Sequence, residues 1–171
     1  YFQEAELDAQ GNIFVTGRTT KEEGSGDFAT PGAYLTAVPE TFAHFLVKFD
    51  QEGNRLWGTF VGGNNSDLSP TNGEQTIVLK VDSQGDVYIG GAVLGSGYLA
   101  DFAVNVGEGT SLMSSSHSFL GKINGSNGQI IWGRSVGGKV QDIALDETRG
   151  RIYTAGGTNE APSVVSPGAY R

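Results

Sequence analysis

Leu7–Thr19 reads LDAQGNIFVTGRT, and Val81–Val93 reads VDSQGDVYIGGAV. Both set an Asp, a short gap and a Gly ahead of a run in which apolar residues alternate, Ile13 with Val15 and Val87 with Ile89. A period of two is what a pleated strand with one buried face requires. The Asp-to-Gly joint is hairpin chemistry: the carboxylate caps the turn and the glycine accepts positive φ. A third copy, LDETRGRIYTAGGT, occupies Leu145–Thr158.

A second pair of segments extends the repeat. FLVKFDQEGNRLWGTFVGG (Phe45–Gly63) matches FLGKINGSNGQIIWGRSVGG (Phe119–Gly138) in Phe-Leu, Lys, Gly, Trp-Gly and the closing Gly-Gly. The interval between Trp57 and Trp132 equals that between Gly63 and Gly138. TPGAY at Thr30–Tyr34 recurs as SPGAY at Ser166–Tyr170. Each unit thus reads as four strands. Strand one is Thr76–Val81 or Asp142–Leu145, and strand two is Asn12–Gly17, Asp86–Gly91 or Arg151–Gly156. Strand three is Phe45–Phe49 or Phe119–Ile123. Turns at Gln51–Asn54 and Gly125–Gly128 lead to strand four at Arg55–Val61 or Gln129–Val136.

Tandem units of four antiparallel strands in a meander predict an all-β fold of β-propeller blades. Blade one spans about 4–63, blade two about 74–138, and a half blade about 140–171. A closed propeller takes about four to eight blades. Two and a half blades are therefore an incomplete propeller, expected to meet other blades or chains of a larger assembly. Its open strand edges are expected to be adhesive. Tyr1–Gln3 aligns with the Val140-Gln141 region and is read as native sequence.

The words Asp8–Gly17, Asp27–Tyr34, Phe45–Gly53 and Trp57–Gly63, in that order, resemble the bacterial seven-bladed propeller repeat, the SBBP repeat. Unit two departs from it at DFAVNVG (Asp101–Gly107), which lacks Pro-Gly-Ala-Tyr; unit three matches as far as SPGAY. The resemblance implies a secreted or surface-exposed bacterial protein, and it informs fold far more than activity. Kelch and quinoprotein-type blades are more distantly similar, without carrying over their ligands.

Composition narrows the partners. The 171 residues carry a net charge of −8, which argues against nucleic acid, whose phosphates need clustered Lys and Arg. No apolar run is long enough to span a bilayer, so membrane insertion is not expected. Without cysteine there is neither a disulfide nor a thiol nucleophile.

Candidate chemistry is sparse. His44 and His117 hold nearly equivalent places before strand three, but one histidine per unit falls short of a zinc site. Asp8, Asp82 and Asp146 lack the further oxygen ligands of a calcium loop and read as turn caps. Asp27 and Asp101 could form a carboxylate pair for glycoside hydrolysis, yet they recur because the repeat recurs. No Gly-x-Ser-x-Gly elbow is present, and Gly90-Gly91 ends a strand instead of opening a phosphate-binding helix. Trp57 and Trp132 are predicted to pack between blades, while Tyr34 and Tyr170 plug or cap the blade on the long-loop side.

Connections decide which face is free. The joints between strands one and two and between three and four are short. Arg18–Ala43, Leu94–Ser116 and Asn64–Gly73 are long and polar, and all fall on the opposite face. Loops on a rigid scaffold commonly carry binding function. A binding site is accordingly expected there, drawing on Asp27, Tyr34, His44, Asn65, Asp67, Tyr98, Asp101 and His117. Tyr98 and Phe102 could stack on a sugar while Asp and Asn accept its hydroxyl protons.

The expected function is a non-catalytic extracellular or cell-surface scaffold for adhesion, polysaccharide or protein binding. No catalytic residue, metal site or cofactor is assigned. The alternative is the propeller part of a secreted polysaccharide-degrading enzyme.

Overall fold

The computed structural model describes residues 2–20, 28–37, 42–61, 77–93, 117–136 and 139–157. These residues form strands and turns, and among them there is no helix. The first sheet runs β1 (Phe2–Leu7), β2 (Ile13–Thr20), β3 (Phe42–Phe49), β4 (Arg55–Val61), antiparallel and in chain order. The second repeats that order with β5 (Ile77–Val81), β6 (Val87–Val93), β7 (His117–Ile123) and β8 (Ile130–Val136). The third is the two-stranded pair β9 (Asp142–Asp146) and β10 (Arg151–Ala155). The fold is all-β, in three antiparallel sheets. β4 falls on the expected residues, and β3 begins earlier than expected, at Phe42.

The joints form as their residues dictate. Gly11, Gly85 and Gly150 adopt φ of 81°, 84° and 61°. Asp8 Oδ1 accepts the amides of Gln10 and Asn12 at 3.0 and 2.8 Å. Asp82 Oδ1 does the same for Gln84 and Asp86 at 3.1 and 2.8 Å. Each such bond satisfies an amide that the hairpin leaves without a ladder partner. In the third joint Asp146 accepts the Arg149 amide at 3.1 Å.

Register shows that the two complete sheets are one design. Phe45 pairs with Gly17 and Phe119 with Gly91; Lys48 pairs with Phe14 and Lys122 with Tyr88. Both sheets have a register irregularity directly after that lysine, at Lys48/Phe49 and Lys122/Ile123. In the third sheet Ile152 pairs with Leu145, as Ile13 does with Leu7 and Val87 with Val81. Tyr153 therefore holds the place of Phe14 and Tyr88.

The sheets stack face to face. Phe14, Leu46 and Trp57 of the first bury against Ile77, Leu79, Val87, Ile89 and Phe119 of the second. The opposite face of the second sheet buries Val78 and Leu120 against Val140 and Ile143, with Tyr88, Trp132, Leu145 and Ile152 partly buried around them. Each large side chain taken fully out of water contributes roughly 1.5–3 kcal/mol. These faces, more than any single polar contact, hold the sheets together. Both tryptophans pack between sheets as their spacing predicted, Trp57 buried and Trp132 half-buried.

The outer edge corrects one expectation: the polar connection after β2 does not all gather at one end. Phe28–Leu35 runs along that edge as a strap: Thr30 N donates to Gly58 O at 2.9 Å, and Phe60 N donates to Leu35 O at 2.9 Å. Phe28 stacks on Phe45 with ring centroids 4.3 Å apart, covering the first sheet's outward face. Gly58 permits the crossing, because a Cβ there would lie 1.8 Å from the Phe28 carbonyl oxygen.

Candidate functional site

Asp27, Asn65, Asp67, Tyr98 and Asp101 lie outside the described residues, as do Phe102, Tyr170 and the loops 62–76 and 94–116. Three of the predicted residues are placed. His44 is fully buried within β3, where its backbone pairs with Arg18 and Val61. His117 opens β7 opposite Val93. Since Phe45 and Phe119 are equivalent, Ser118 holds the place of His44, and His117 that of Ala43. The two histidines are thus one residue apart in register, and both lie within β3 and β7, where they had been expected just before strand three. Tyr34 packs, partly buried, on the cluster between the first and second sheets. Nearby, Gln129 Nε2 donates to the Gly32 carbonyl at the start of β8. Tyr34 therefore belongs to the strap beside β4, whose next residue, Leu35, accepts the Phe60 amide.

At the short-turn end, polar side chains link the sheets. Lys48 Nζ lies 3.2 Å from Asp8 Oδ2, whose side chain is 1% exposed, and donates to Gly125 O at 3.1 Å in the β7–β8 turn. Trp57 Nε1 donates to the same carbonyl at 3.0 Å. Lys122 repeats the pairing in the second sheet, 2.9 Å from Asp82 and 3.0 Å from Asp86. Asp86 Oδ1 in turn accepts the Gly125 amide at 3.0 Å. Glu147, in the β9–β10 turn, accepts the Ser83 amide at 3.1 Å and the Ser83 hydroxyl.

These contacts set the ionisation of the pairs. Burial pushes the Asp8 carboxyl up, but hydrogen bonds from Asn12 and Lys48 outweigh it and hold Asp8 below its ordinary value. For Lys122, burial favours the neutral amine, but Asp82, Asp86 and Tyr88 outweigh it and raise the pKa. Asp8 and Asp82 were read correctly as turn caps. Their lysine partners were missed, although the Lys in Phe-Leu-x-Lys recurs in both units and was the available signal.

A second cluster breaks the repeat. Glu4, Val78 and Asp142 share one place in the first strands of the three units, and Glu6, Lys80 and Ala144 share another. β1 lies against β5, and β5 against β9. Glu4 Oε2 accepts the Leu79 amide at 2.7 Å, and Glu6 pairs with the Lys80 ammonium. Burial raises the Glu4 pKa, against the Leu79 amide and Lys80, which lower it; Glu6 and Asp142 add to the rise. The hydrogen bond to Glu6 raises Lys80, against a smaller effect of burial. A general acid or nucleophile must be free to meet a substrate. Glu4 and Glu6 each engage β5, so the cluster's evident work is to tie β1 to β5. Among the described residues no group of three or more His, Cys, Asp or Glu could hold a metal ion. The cluster escaped the sequence reading because residues without a counterpart in the next unit do not appear as a motif.

No family model matches the chain, and no curated protein matches it.

Proposed function

We propose that the chain is a run of β-propeller blades of the SBBP-repeat type, serving as a rigid extracellular or bacterial cell-surface scaffold that binds through its long-loop end. The observation that carries this reading is the asymmetry of the two ends. First strands lie side by side as β1, β5 and β9, as blades around a common axis would place them. The short turns are bonded from sheet to sheet through Gly125 and Glu147, leaving the longer connections at the other end to vary. Engagement of Glu4 and Glu6 by β5 favours a scaffold over a hydrolase. The ligand is a polysaccharide or protein partner, and other blades complete the assembly.

A glycan array read together with a polysaccharide hydrolysis assay tests the proposal on the full chain. Saturable binding without turnover is expected, and deleting Ser111–Ser116 should weaken it. Turnover of any polysaccharide would overturn the scaffold reading, and unchanged binding after the deletion would remove that loop from the site.

A further inference from the structure

The β7–β8 turn carries two Asn-Gly pairs, Asn124-Gly125 and Asn127-Gly128. In such a pair the glycine nitrogen can attack the preceding side-chain amide, because no Cβ blocks its approach. The two asparagine carbonyls are held alike: Asn124 Oδ1 accepts the Ser126 amide at 2.9 Å, and Asn127 Oδ1 accepts the Gln129 amide at 3.0 Å. The two glycine nitrogens are held differently. Gly125 is buried, and its N–H donates to the Asp86 carboxylate at 3.0 Å. Its carbonyl accepts both the Lys48 ammonium and the Trp57 indole, and a Cβ on it would run into the Gly85 carbonyl oxygen. Asn127, by contrast, is exposed at the tip of the turn beside exposed Ser126. The Gly128 N–H donates to the Asn124 carbonyl of the same turn at 2.9 Å.

We propose that Asn127 is a site of spontaneous deamidation, and that the fold protects Asn124 from the same reaction. The Gly128 nitrogen loses its proton to solvent hydroxide and bonds to Asn127 Cγ; the Cγ–Nδ2 bond breaks, and the side-chain nitrogen leaves as ammonia. One water then opens the cyclic imide at either carbonyl, leaving aspartate or isoaspartate with no change of oxidation state. At Asn127 the attack requires the turn tip to give up a bond of its own. At Asn124 it requires release from the Asp86 carboxylate and from two donors of the first sheet, and bonds to charged groups are the stronger ones. The product acts on the joint between the sheets. Gly128 rests on Trp57, where a Cβ would lie 2.8 Å from Cε3, so the extra backbone methylene of isoaspartate has no room on that side. Conversion therefore adds a negative charge and loosens the first sheet from the second. The inference rests on the geometry of this turn and does not depend on the scaffold reading.

The full chain is incubated in mildly alkaline buffer and the turn is mapped by proteolysis and mass spectrometry, beside a synthetic peptide of residues 118–136 in which neither glycine is held. The peptide should convert both asparagines at similar rates. The chain should convert Asn127 roughly tenfold faster than Asn124, or more. Equal rates in the chain, or no conversion at Asn127 while the peptide converts, would overturn the proposal. Asp86→Ala should speed Asn124 alone, and Asp86→Asn, which keeps an acceptor oxygen, should restore protection. If Asp86→Ala unfolds, which conversion of both residues at the peptide's rates would reveal, Trp57→Phe removes one donor to Gly125 and should speed Asn124 in the same sense. An Asn124 rate that no variant moves would overturn the protection assigned to Gly125. The converted chain, separated by its added charge, should melt below the parent, and equal melting would overturn the link to Trp57.

Discussion

Phe14, Tyr88 and Tyr153 hold one position in three copies of the same strand, yet their surroundings grade from interior to water. Phe14 is fully buried, beneath Lys48 and edge-on to Trp57 at 6.0 Å. Tyr88 is half-buried beneath Lys122 and edge-on to Trp132 at 6.1 Å. Tyr153 is half-exposed. Local sequence scarcely changes between them: all three strands alternate, and all three follow an Asp-capped joint with a positive-φ glycine. What changes, among the described residues, is that strands three and four flank β2 and β6. Burial of strand two is therefore conferred by the strand that lies on it and by the next sheet, and the repeat's stability is largely a property of neighbours.

The largest expected effect breaks that covering from within. Lys122→Ala leaves the Asp82 carboxylate, 2% exposed, without its ammonium partner. Breaking a buried pair from one side costs about 3–5 kcal/mol, which a urea titration would read as a lower midpoint. Lys48→Ala should cost less, because Lys48 faces one carboxylate where Lys122 faces two. Arg149→Ala removes only an exposed pair, worth about 0–1 kcal/mol. Equal losses at Lys122 and Arg149 would erase the distinction between covered and uncovered strands.

A smaller effect sharpens how the sheets are joined. Trp57→Phe keeps most of the apolar contact and deletes the Nε1–H donor to Gly125. The carbonyl retains Lys48 as a donor, so the loss should be about 1 kcal/mol. Thermal unfolding checks it. A loss beyond 3 kcal/mol, roughly three times that of a typical hydrogen bond, would mean that this one bond, and not the shared apolar face, joins the sheets.

Much of the fold was legible because it depends on residues close in sequence. Alternation marked β2 and β6, and Asp with Gly marked their joints. The repeat of Phe-Leu-x-Lys and Trp-Gly marked β3, β4, β7 and β8. The strap was not legible, since Thr30 and Gly58 become neighbours only when the chain wraps the edge of β4. That His44 and His117 lie inside their strands was equally hidden, because sequence spacing near a strand's start does not fix which residue pairs first. Of the candidate site, the turn aspartates were read and their lysines were not: an ion pair between strands one and three needs the sheet to be assembled before its partners meet.

The smallest effect distinguishes the first strands from one another. Glu4 and Asp142 share a place with the apolar Val78, and Glu4 alone among them accepts the Leu79 amide at 2.7 Å. A carboxyl whose pKa is raised on folding keeps its proton longer in the folded chain than in the unfolded one. Its favourable contribution is complete below the ordinary value of 4.5 and is lost as pH rises through the folded value. Asp8 acts in the opposite sense: held below 3.8, it contributes above that pH, and the contribution disappears as pH falls through its folded value. The two windows do not overlap, so they can be separated in one experiment. Glu4→Gln retains a carbonyl oxygen for the Leu79 amide but cannot titrate. Melting temperatures taken from acid to neutral pH should therefore show the variant losing less stability than the parent above 4.5, with the acid limb set by Asp8 unchanged in both. A difference that stays flat across the whole range would show that the contact between β1 and β5 does not depend on the ionisation of Glu4.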